Sequence, residues 1–513
     1  MGTDIDKTQF DANDFEQYHH RLNENLCAFR QLLSQPGFGQ GSPSFGAELE
    51  LYIIDKQAAP KAINQQIHQQ MMDKQLTLEL NRFNLEYNFT PVRQEARPFS
   101  KMKQQMDAAL TCLSEIAATH QARIVPIGIL PTLQVSDMGL NAITDVPRYH
   151  VLAKALRDKR GSDFHIHIEG VESLDLHWGD VSPEGANTSF QFHYRVNPEN
   201  FADAYNAAQL STPLALALSA NSPFFLGKKL WHETRIALFK QSIDYRLEDA
   251  LHKHLPARVL FGLGWIRKDI YEMYAEGVYL FEPLMPICSD TNSFDELRAG
   301  IAPSLSELRL HQGSIWNWNR PIYDPTDKGH LRIELRALPA GPTPGNMLAN
   351  AALMSGLIRG LQSHISTLLP GLPFRYAEQN FYRAAKYGLN AVLFWPSFKT
   401  GTLEERPVTA ILKQLLPLAE QGLNDLGVDE NEIKTQINII KGGLETRMNG
   451  AQWQISMFDK LLPKSQHSAS SQRAGLKQQA QQHERQAALA ELVELYYTQY
   501  QSGKAVHEWS EKR

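Results

Sequence analysis

The 513-residue chain has only three cysteines, Cys27, Cys112 and Cys288, far apart and without a Cys-x-x-Cys pair. That argues against a disulfide framework and against a structural zinc site. No stretch approaches the roughly 18 uninterrupted apolar residues of a membrane-spanning helix. The opening segment MGTDIDKTQFDANDFEQ is acidic and polar, unlike a secretory signal. Charge of one sign is also scarce: 51 Lys and Arg against 56 Asp and Glu leave a net -5. With no basic stripe carrying interleaved aromatics, neither nucleic acid nor an anionic membrane is an expected partner. There is no internal repeat. What remains is 42% apolar and 21% charged residues, the composition of a globular protein able to bury a large core. A cytoplasmic location is the expectation.

Helical spacing marks 13–34, where Phe15, Tyr18, Leu22, Leu26, Phe29 and Leu32 form a stripe. The glycines of the following PGFGQGSPS lack the Lys-Ser/Thr ending of a phosphate loop, so the segment reads as a turn. Residues 101–120 and 200–220 suit helices. Beyond 341 the pattern turns helical, over 344–368, 376–393, 404–426, 429–447 and 475–501. A polar break, SQHSASSQ at 465–472, precedes the last of these. This divides the chain into a helical extension and linker (1–43), a catalytic domain (44–400) and a helical C-terminal region packed on it (401–513).

Between these helices lie strand-like segments whose residues of one parity are polar. Side chains alternate across a strand, so every second residue shares a face. Glu48 and Glu50 oppose Ala47, Leu49 and Leu51. Thr77, Glu79 and Asn81 oppose Leu76, Leu78 and Leu80, and Asn84, Glu86 and Asn88 oppose Phe83, Leu85, Tyr87 and Phe89. Later, His165, His167 and Glu169 form one face, Gln191, His193 and Arg195 another, and Arg332, Glu334 and Arg336 a third. A solvated sheet face explains any one of these alone. As a set they carry Glu, His, Gln and Arg where such a face favours Lys, Thr and Ser. Opposed carboxylates repel and call for cations. Two or three Mg²⁺ ions, hard cations that take carboxylate and phosphate oxygens, would supply that charge. Arginines on the same face would meet phosphate or carboxylate. The fold expected is α+β: a curved, largely antiparallel sheet with a polar concave face forming the site, helices on its outer face and a helical C-terminal region. The residues themselves reach a metal-assisted phosphoryl-transfer site and no further.

The order of motifs resembles the glutamate–cysteine ligase superfamily, in particular its bacterial carboxylate–amine ligase branch with a glutamine synthetase-like catalytic fold. Phe45-Gly46-Ala47-Glu48-Leu49-Glu50 is similar to the family's Gly-[Val/Ala]-Glu-x-Glu strand. Glu79 and Glu86 keep its acid-x6-Glu spacing, and Gln191-Phe192-His193 its Gln-[Val/Ile]-His strand. Leu218-Ser219-Ala220-Asn221-Ser222-Pro223-Phe224 resembles its Ala-Asn/Ser-Ser-Pro turn. Thr234 to Phe239 follow as a segment with a substrate-contacting arginine. Ile333-Glu334-Leu335-Arg336 resembles its Glu-x-Arg strand, and Asn380 to Leu389 its helical signature. The first 40 residues, the last 100 or so and the His165-x-His167-x-Glu169 strand lie outside the resemblance. That strand suits either a further site wall or, more simply, three residues facing solvent.

The resemblance implies an ATP-dependent carbon–nitrogen ligase that phosphorylates a carboxylate, by default the γ-carboxylate of glutamate. An amine, by default that of cysteine, then displaces phosphate, as in glutathione biosynthesis. It also implies Glu48, Glu50, Glu86 and Glu334 as metal ligands, with Glu79 and either Gln191 or His193 completing the shells. Mg²⁺, with Mn²⁺ as an alternative, is the implied cofactor and ATP the co-substrate. Arg336 would touch the phosphoryl group and Arg235 an α-carboxylate of the acceptor. Simpler roles stand beside these: Glu79 as a hydrogen-bond partner, His193 as a satisfied sheet histidine and Arg235 in an ordinary ion pair. A ligase for another acid and amine, or a nucleotide-binding sensor of the same fold, stands beside the default activity. Amino-acid and amine substrates and ATP are thus the expected partners. The apolar side of 475–501, Leu489, Leu492, Val493 and Tyr496, suits a homo-oligomer contact or, more commonly, packing on its own domain.

Overall fold

A computed structural model describes residues 7, 9–247, 254–397, 400, 402–462 and 474–511. The polar break at 465–472 lies outside them. Its centre is one antiparallel sheet built from β1 (Ser44–Ile54), β2 (Leu76–Leu78), β3 (Asn84–Arg93), β4 (Arg123–Val125), β7 (Phe190–Val196), β8 (Asn319–Asp324) and β9 (His330–Leu335), in the order β8-β9-β7-β1-β3-β2 with β4 beside the far end of β1. It curls into an antiparallel half-barrel, with helices gathered towards the C-terminus. The α+β fold with a curved sheet is the one expected.

Alternation gives each strand an apolar side, and these sides pack together. Phe45, Leu49, Leu85, Phe190, Phe192, Ile333 and Leu335 are all buried, and the Phe45 ring lies 5.1 Å from that of Phe192 and 5.7 Å from that of Phe99. Phe99 opens the helix Pro98–Thr119, whose Met102, Met106, Leu110 and Leu113 line its inner side. Two helices, Phe201–Ser219 and Pro344–Leu361, are apolar almost all round and almost wholly buried, the sequence signature of central helices. The second of them meets the helix Val408–Asp425 at very close range. A Cβ on Gly356 would stand 2.3 Å from the Ala419 carbonyl, and one on Gly422 2.0 Å from the Gly356 carbonyl. Only glycine permits that approach.

Several element boundaries differ from the sequence expectation. The helix expected over 376–393 is Phe374–Tyr387; it stops at Gly388, where φ is +52°. The chain then forms a small hairpin, Val392–Pro396 against Leu403–Pro407, and the next helix begins only after Pro407. The helix expected over 344–368 is Pro344–Leu361, continued by a 3₁₀ turn, Gln362–His364, and a last helical turn, Ile365–Leu368. Strand 76–81 is reduced to Leu76–Leu78, leaving Glu79 just beyond it. The His165-x-His167-x-Glu169 segment lies outside the main sheet. It forms β5 (Phe164–Glu169), paired only with β6 (Ser173–Trp178), and its three polar residues face outward.

The C-terminal helix Ala474–Gln501 packs on its own chain. Leu489, Leu492, Val493 and Tyr496 are buried in an apolar cluster with Tyr52, Val125, Ile127 and Trp453. The Trp509 ring closes on Tyr496 at 5.2 Å and on Trp453 at 5.0 Å. The Tyr496 hydroxyl donates to the Pro126 carbonyl at 2.9 Å and accepts from Asn221 Nδ2 at 2.9 Å, tying the helix to the Ala-Asn-Ser-Pro turn. No helix among the described residues is long and apolar enough to cross a membrane. Replacing Tyr496 by Phe strips the Pro126 carbonyl of this donor and leaves Asn221 Nδ2 with the Ala340 carbonyl. We expect Tyr496→Phe to cost about 1–3 kcal/mol of unfolding free energy, read as a lower urea midpoint. An unchanged midpoint would show that the hydroxyl tie contributes nothing.

Candidate functional site

Residues directly opposite in an antiparallel pair project to the same side, so the register decides which polar residues meet. Glu50 stands opposite Glu86, and Glu86 opposite Thr77. Glu48 stands opposite Gln191 on one side and Asn88 on the other. Glu334 stands opposite His193 and Arg320. One concave face therefore collects every polar residue singled out on β1, β3, β7 and β9. Glu48 and Arg336 keep some accessible surface, 20% and 15% at the side chain, whereas the Glu334 side chain is fully enclosed by protein.

The face has two halves of different charge. In the first, Glu334 is buried and gripped by Arg320 through both carboxylate oxygens, Nη2 to Oε1 at 2.9 Å. Arg336 Nη1 adds a third contact at 3.1 Å. Burial opposes ionisation, but the Arg320 and Arg336 guanidiniums and His193 hold the Glu334 carboxyl well below the usual carboxylate range. Arg332 Nε donates to His193 Nδ1 at 3.1 Å. A guanidinium can only donate, so Nδ1 accepts and the proton sits on Nε2, which donates to Glu48 Oε1 at 3.0 Å. Gln191 works similarly on the boundary, its amide nitrogen donating to Glu50 Oε1 at 2.8 Å while its oxygen accepts from Arg336 at 2.5 Å.

In the second half, Glu50, Glu79 and Glu86 offer carboxylate oxygens all within 4.8 Å of one another, and none of the three has an ion pair at salt-bridge distance among the described residues. Glu50 accepts from the Ser189 amide at 2.6 Å, and Glu86 from Asn88 at 3.0 Å and Thr77 at 3.1 Å. Burial, then the Glu48 and Glu50 carboxylates, push Glu86 up to about 8. Burial, then Glu86, Glu50 and Glu184, drive Glu79 far above its ordinary range. Burial also raises Glu50, against the pull of Arg336 and Arg235. Three converging carboxylates that repel one another, with oxygen as the only ligand type, fit a hard divalent cation. A second group, Glu48, His193 and Glu334, has ligand atoms equally close, but there Arg320 and Arg332 already supply positive charge.

Arg235, expected to meet a substrate carboxylate, is turned inward. Its Nη1 pairs with Glu233 at 3.1 Å and donates to the Ala337 carbonyl at 3.2 Å, and its side chain is only 3% exposed. Glu233 also accepts from the Asn221 amide and the Ser222 hydroxyl, so the Ala-Asn-Ser-Pro turn and Arg235 form one buried polar knot behind the face. Three charged residues of the site went unnoticed in the sequence. Arg320 carries a weak signal, sharing its parity in NRPIYD with Asp324. Glu184, pushed up to about 8 by burial and by Glu50, lies on a short turn of 3₁₀ helix, where no periodicity exists to read. Arg148, within electrostatic reach of Glu79 and Glu86, lies on the helix Pro147–Arg160 with no alternation to mark it.

Residues 44–263 match the family described as Glutamate-cysteine ligase family 2 (GCS2). That span contains Glu48, Glu50, Glu79, Glu86, Gln191 and His193, and stops before Glu334 and Arg336. Among solved structures, a glutamate–cysteine ligase from Francisella tularensis in complex with AMP is similar with a TM-score of 0.50 and 12% identity, over 91% of this chain and 100% of that one. A bifunctional glutathione synthetase from Pasteurella multocida is similar over 94% of this chain and 55% of that one, with a TM-score of 0.43 and 10% identity. The ligase PafA, in complex with the prokaryotic ubiquitin-like protein Pup, is similar over 90% of this chain and 85% of that one, with a TM-score of 0.33 and 9% identity. No curated protein matches the chain. At 12% identity, the first structure shares the fold.

The raised carboxyls make stability depend on pH with a definite sign. Between the ordinary value of 4.5 and about 8, the metal-free folded protein holds protons on Glu86 and Glu184 that the unfolded chain has lost. Their contribution is full below the unfolded value and disappears as pH rises through about 8. We expect Glu86→Gln and Glu184→Gln to flatten the fall in Tm across this interval. Added Mg²⁺, which needs ionised carboxylates, should release protons and raise Tm most at the upper end. Identical pH slopes in wild type and both variants would contradict this account.

Proposed function

We propose that the polar face is the active centre of an ATP-dependent carboxylate–amine ligase forming a γ-glutamyl amide, with glutamate and cysteine as the default substrates, a reading supported by the match of residues 44–263 to Glutamate-cysteine ligase family 2. The observation that carries this reading is the strand register. It converges Glu48, Glu50, Glu86 and Glu334 with Arg336 on one face, from strands as far apart in sequence as β1 and β9.

A carboxylate is a poor acyl donor because its oxygen leaves badly; transfer of a phosphoryl group makes that oxygen a good leaving group. The substrate carboxylate oxygen bonds to the γ-phosphorus of ATP as the bond to the bridging oxygen breaks and ADP departs. The amine nitrogen then attacks the acyl carbon, phosphate leaves with the electron pair, and the nitrogen loses a proton to give the amide. Glu50, Glu79 and Glu86 would hold a divalent cation, Mg²⁺ or Mn²⁺, with Glu48 and Glu334 beside them for a second or third. Such ions polarise phosphate oxygens and offset their charge. Arg336, fixed by Gln191 and Glu334, presents a cation to the phosphoryl group. Gln191 and His193 orient Glu50 and Glu48 through the hydrogen bonds already made. Arg235 is a positioning residue in this reading, holding the strand end at Arg336 and Ala337 from behind.

Glu50→Gln is expected to abolish Mg²⁺-dependent nucleotide turnover with the fold intact, and Arg336→Met to lower kcat by about 10²–10³-fold. Normal turnover in Glu50→Gln would remove that residue from the site. With glutamate carrying ¹⁸O in its γ-carboxylate, an acyl phosphate requires one label in the released phosphate, and unlabelled phosphate would overturn the mechanism. Phosphate release with glutamate and a panel of amines identifies the acceptor.

A further inference from the structure

The outer face of the β5–β6 hairpin takes no part in the ligase reading, yet it gathers an unusual set of side chains. His165 stands directly opposite His177, and His167 opposite Asp175. Alternation sends these four to solvent, while Phe164, Ile166, Ile168 and Leu174 are buried on the other side. The His165 and His177 rings stack at 4.4 Å with only 5° between their planes. Asp175 reaches diagonally between the histidines, Oδ1 lying 3.0 Å from His165 Nε2 and Oδ2 3.2 Å from His167 Nδ1. One ligand atom from each of His165, Asp175 and His177 lies within 4.8 Å of the other two.

We propose that His165, Asp175 and His177 form a second cation site, selective for a first-row transition metal of the zinc type and separate from the acidic face of the main sheet. It rests on the hairpin alone and stands whether or not the ligase reading does.

The donor set makes the distinction. Two imidazoles and one carboxylate suit zinc, cobalt or nickel, whereas carboxylate and water oxygens suit magnesium. Zinc–ligand bonds of about 2.0–2.1 Å bring ligand atoms within roughly 3.4 Å of one another in a tetrahedron. Small side-chain rotations on a paired-strand frame close the remaining gap. Three protein ligands leave a fourth position for water. Asp175 is 60% and His165 30% exposed at the side chain, so an ion can enter from solvent. His167, already on the second oxygen of Asp175, serves as the residue that orients this carboxylate. An ion here would tie the two strands together near their open end. The same hairpin carries the helix Arg235–Ser242 on its flank, where the His167 amide donates to Gln241 Oε1 at 2.6 Å.

The test is equilibrium dialysis of the full chain against Zn²⁺ with Mg²⁺ and ATP in large excess, so that the acidic face is occupied. The wild type should retain one equivalent of zinc. His177→Ala and Asp175→Asn, at exposed positions that the fold tolerates, should each lose it, and His20→Ala, at an exposed histidine elsewhere, should keep it. Co²⁺ in place of zinc should give the intense visible bands of a tetrahedral site in wild type and lose them in His177→Ala. Absence of zinc in the wild type overturns the site, as does an equivalent that persists in both hairpin variants or disappears in His20→Ala.

Discussion

The structure depends on like charges placed opposite one another across paired strands. The register sets Glu50 against Glu86, so a carboxylate pair faces itself across the β1–β3 ladder. Arrangements of that kind cost stability and persist where something else is gained. Here burial first, and the facing carboxylates after it, push Glu86 up to about 8. The gain is a rigid array of oxygens fixed by backbone pairing, which a flexible loop could not hold to the same tolerance.

A few ångströms along the same face the opposite solution is used. Glu334 is neutralised by Arg320 and Arg336, and His193 is locked between Arg332 and Glu48. The face thus runs from a cation-poor half to a cation-bearing half. Arg336 and Gln191 stand at the boundary, joined to each other and to Glu334 and Glu50 on its two sides. Behind them, Glu233 and Arg235 form a buried pair whose hydrogen bonds are shared with the Ala-Asn-Ser-Pro turn. Asn221 hands the same network on to Tyr496. The C-terminal helix, outside the matched span 44–263, is therefore part of what holds the site's floor.

Much of this was legible in the chain itself. Alternation at period two marked β1, β3, β7 and β9, named the residues of their polar faces and fixed which side would be buried, because both consequences are local to a strand. The helices expected over 101–120, 200–220 and 429–447 are Pro98–Thr119, Phe201–Ser219 and Glu430–Thr446. Boundaries went wrong where local signals were silent or misread. The helix expected to 393 stops at Gly388, and the one expected from 404 starts only after Pro407, because the hairpin strands Val392–Pro396 and Leu403–Pro407 are too short to show a period.

The sequence alone determined the identity and facing of the carboxylates and the motif order that resembles the glutamate–cysteine ligase family. Only the tertiary structure decided that Glu50, Glu79 and Glu86 meet, that Arg320 neutralises Glu334, that Glu184 joins the acids, and that Arg235 turns inward. The physical reason is range. Facing follows from the geometry of neighbouring residues, whereas pairing order and register are settled by contacts between segments hundreds of positions apart. No periodicity records which strand will lie beside which.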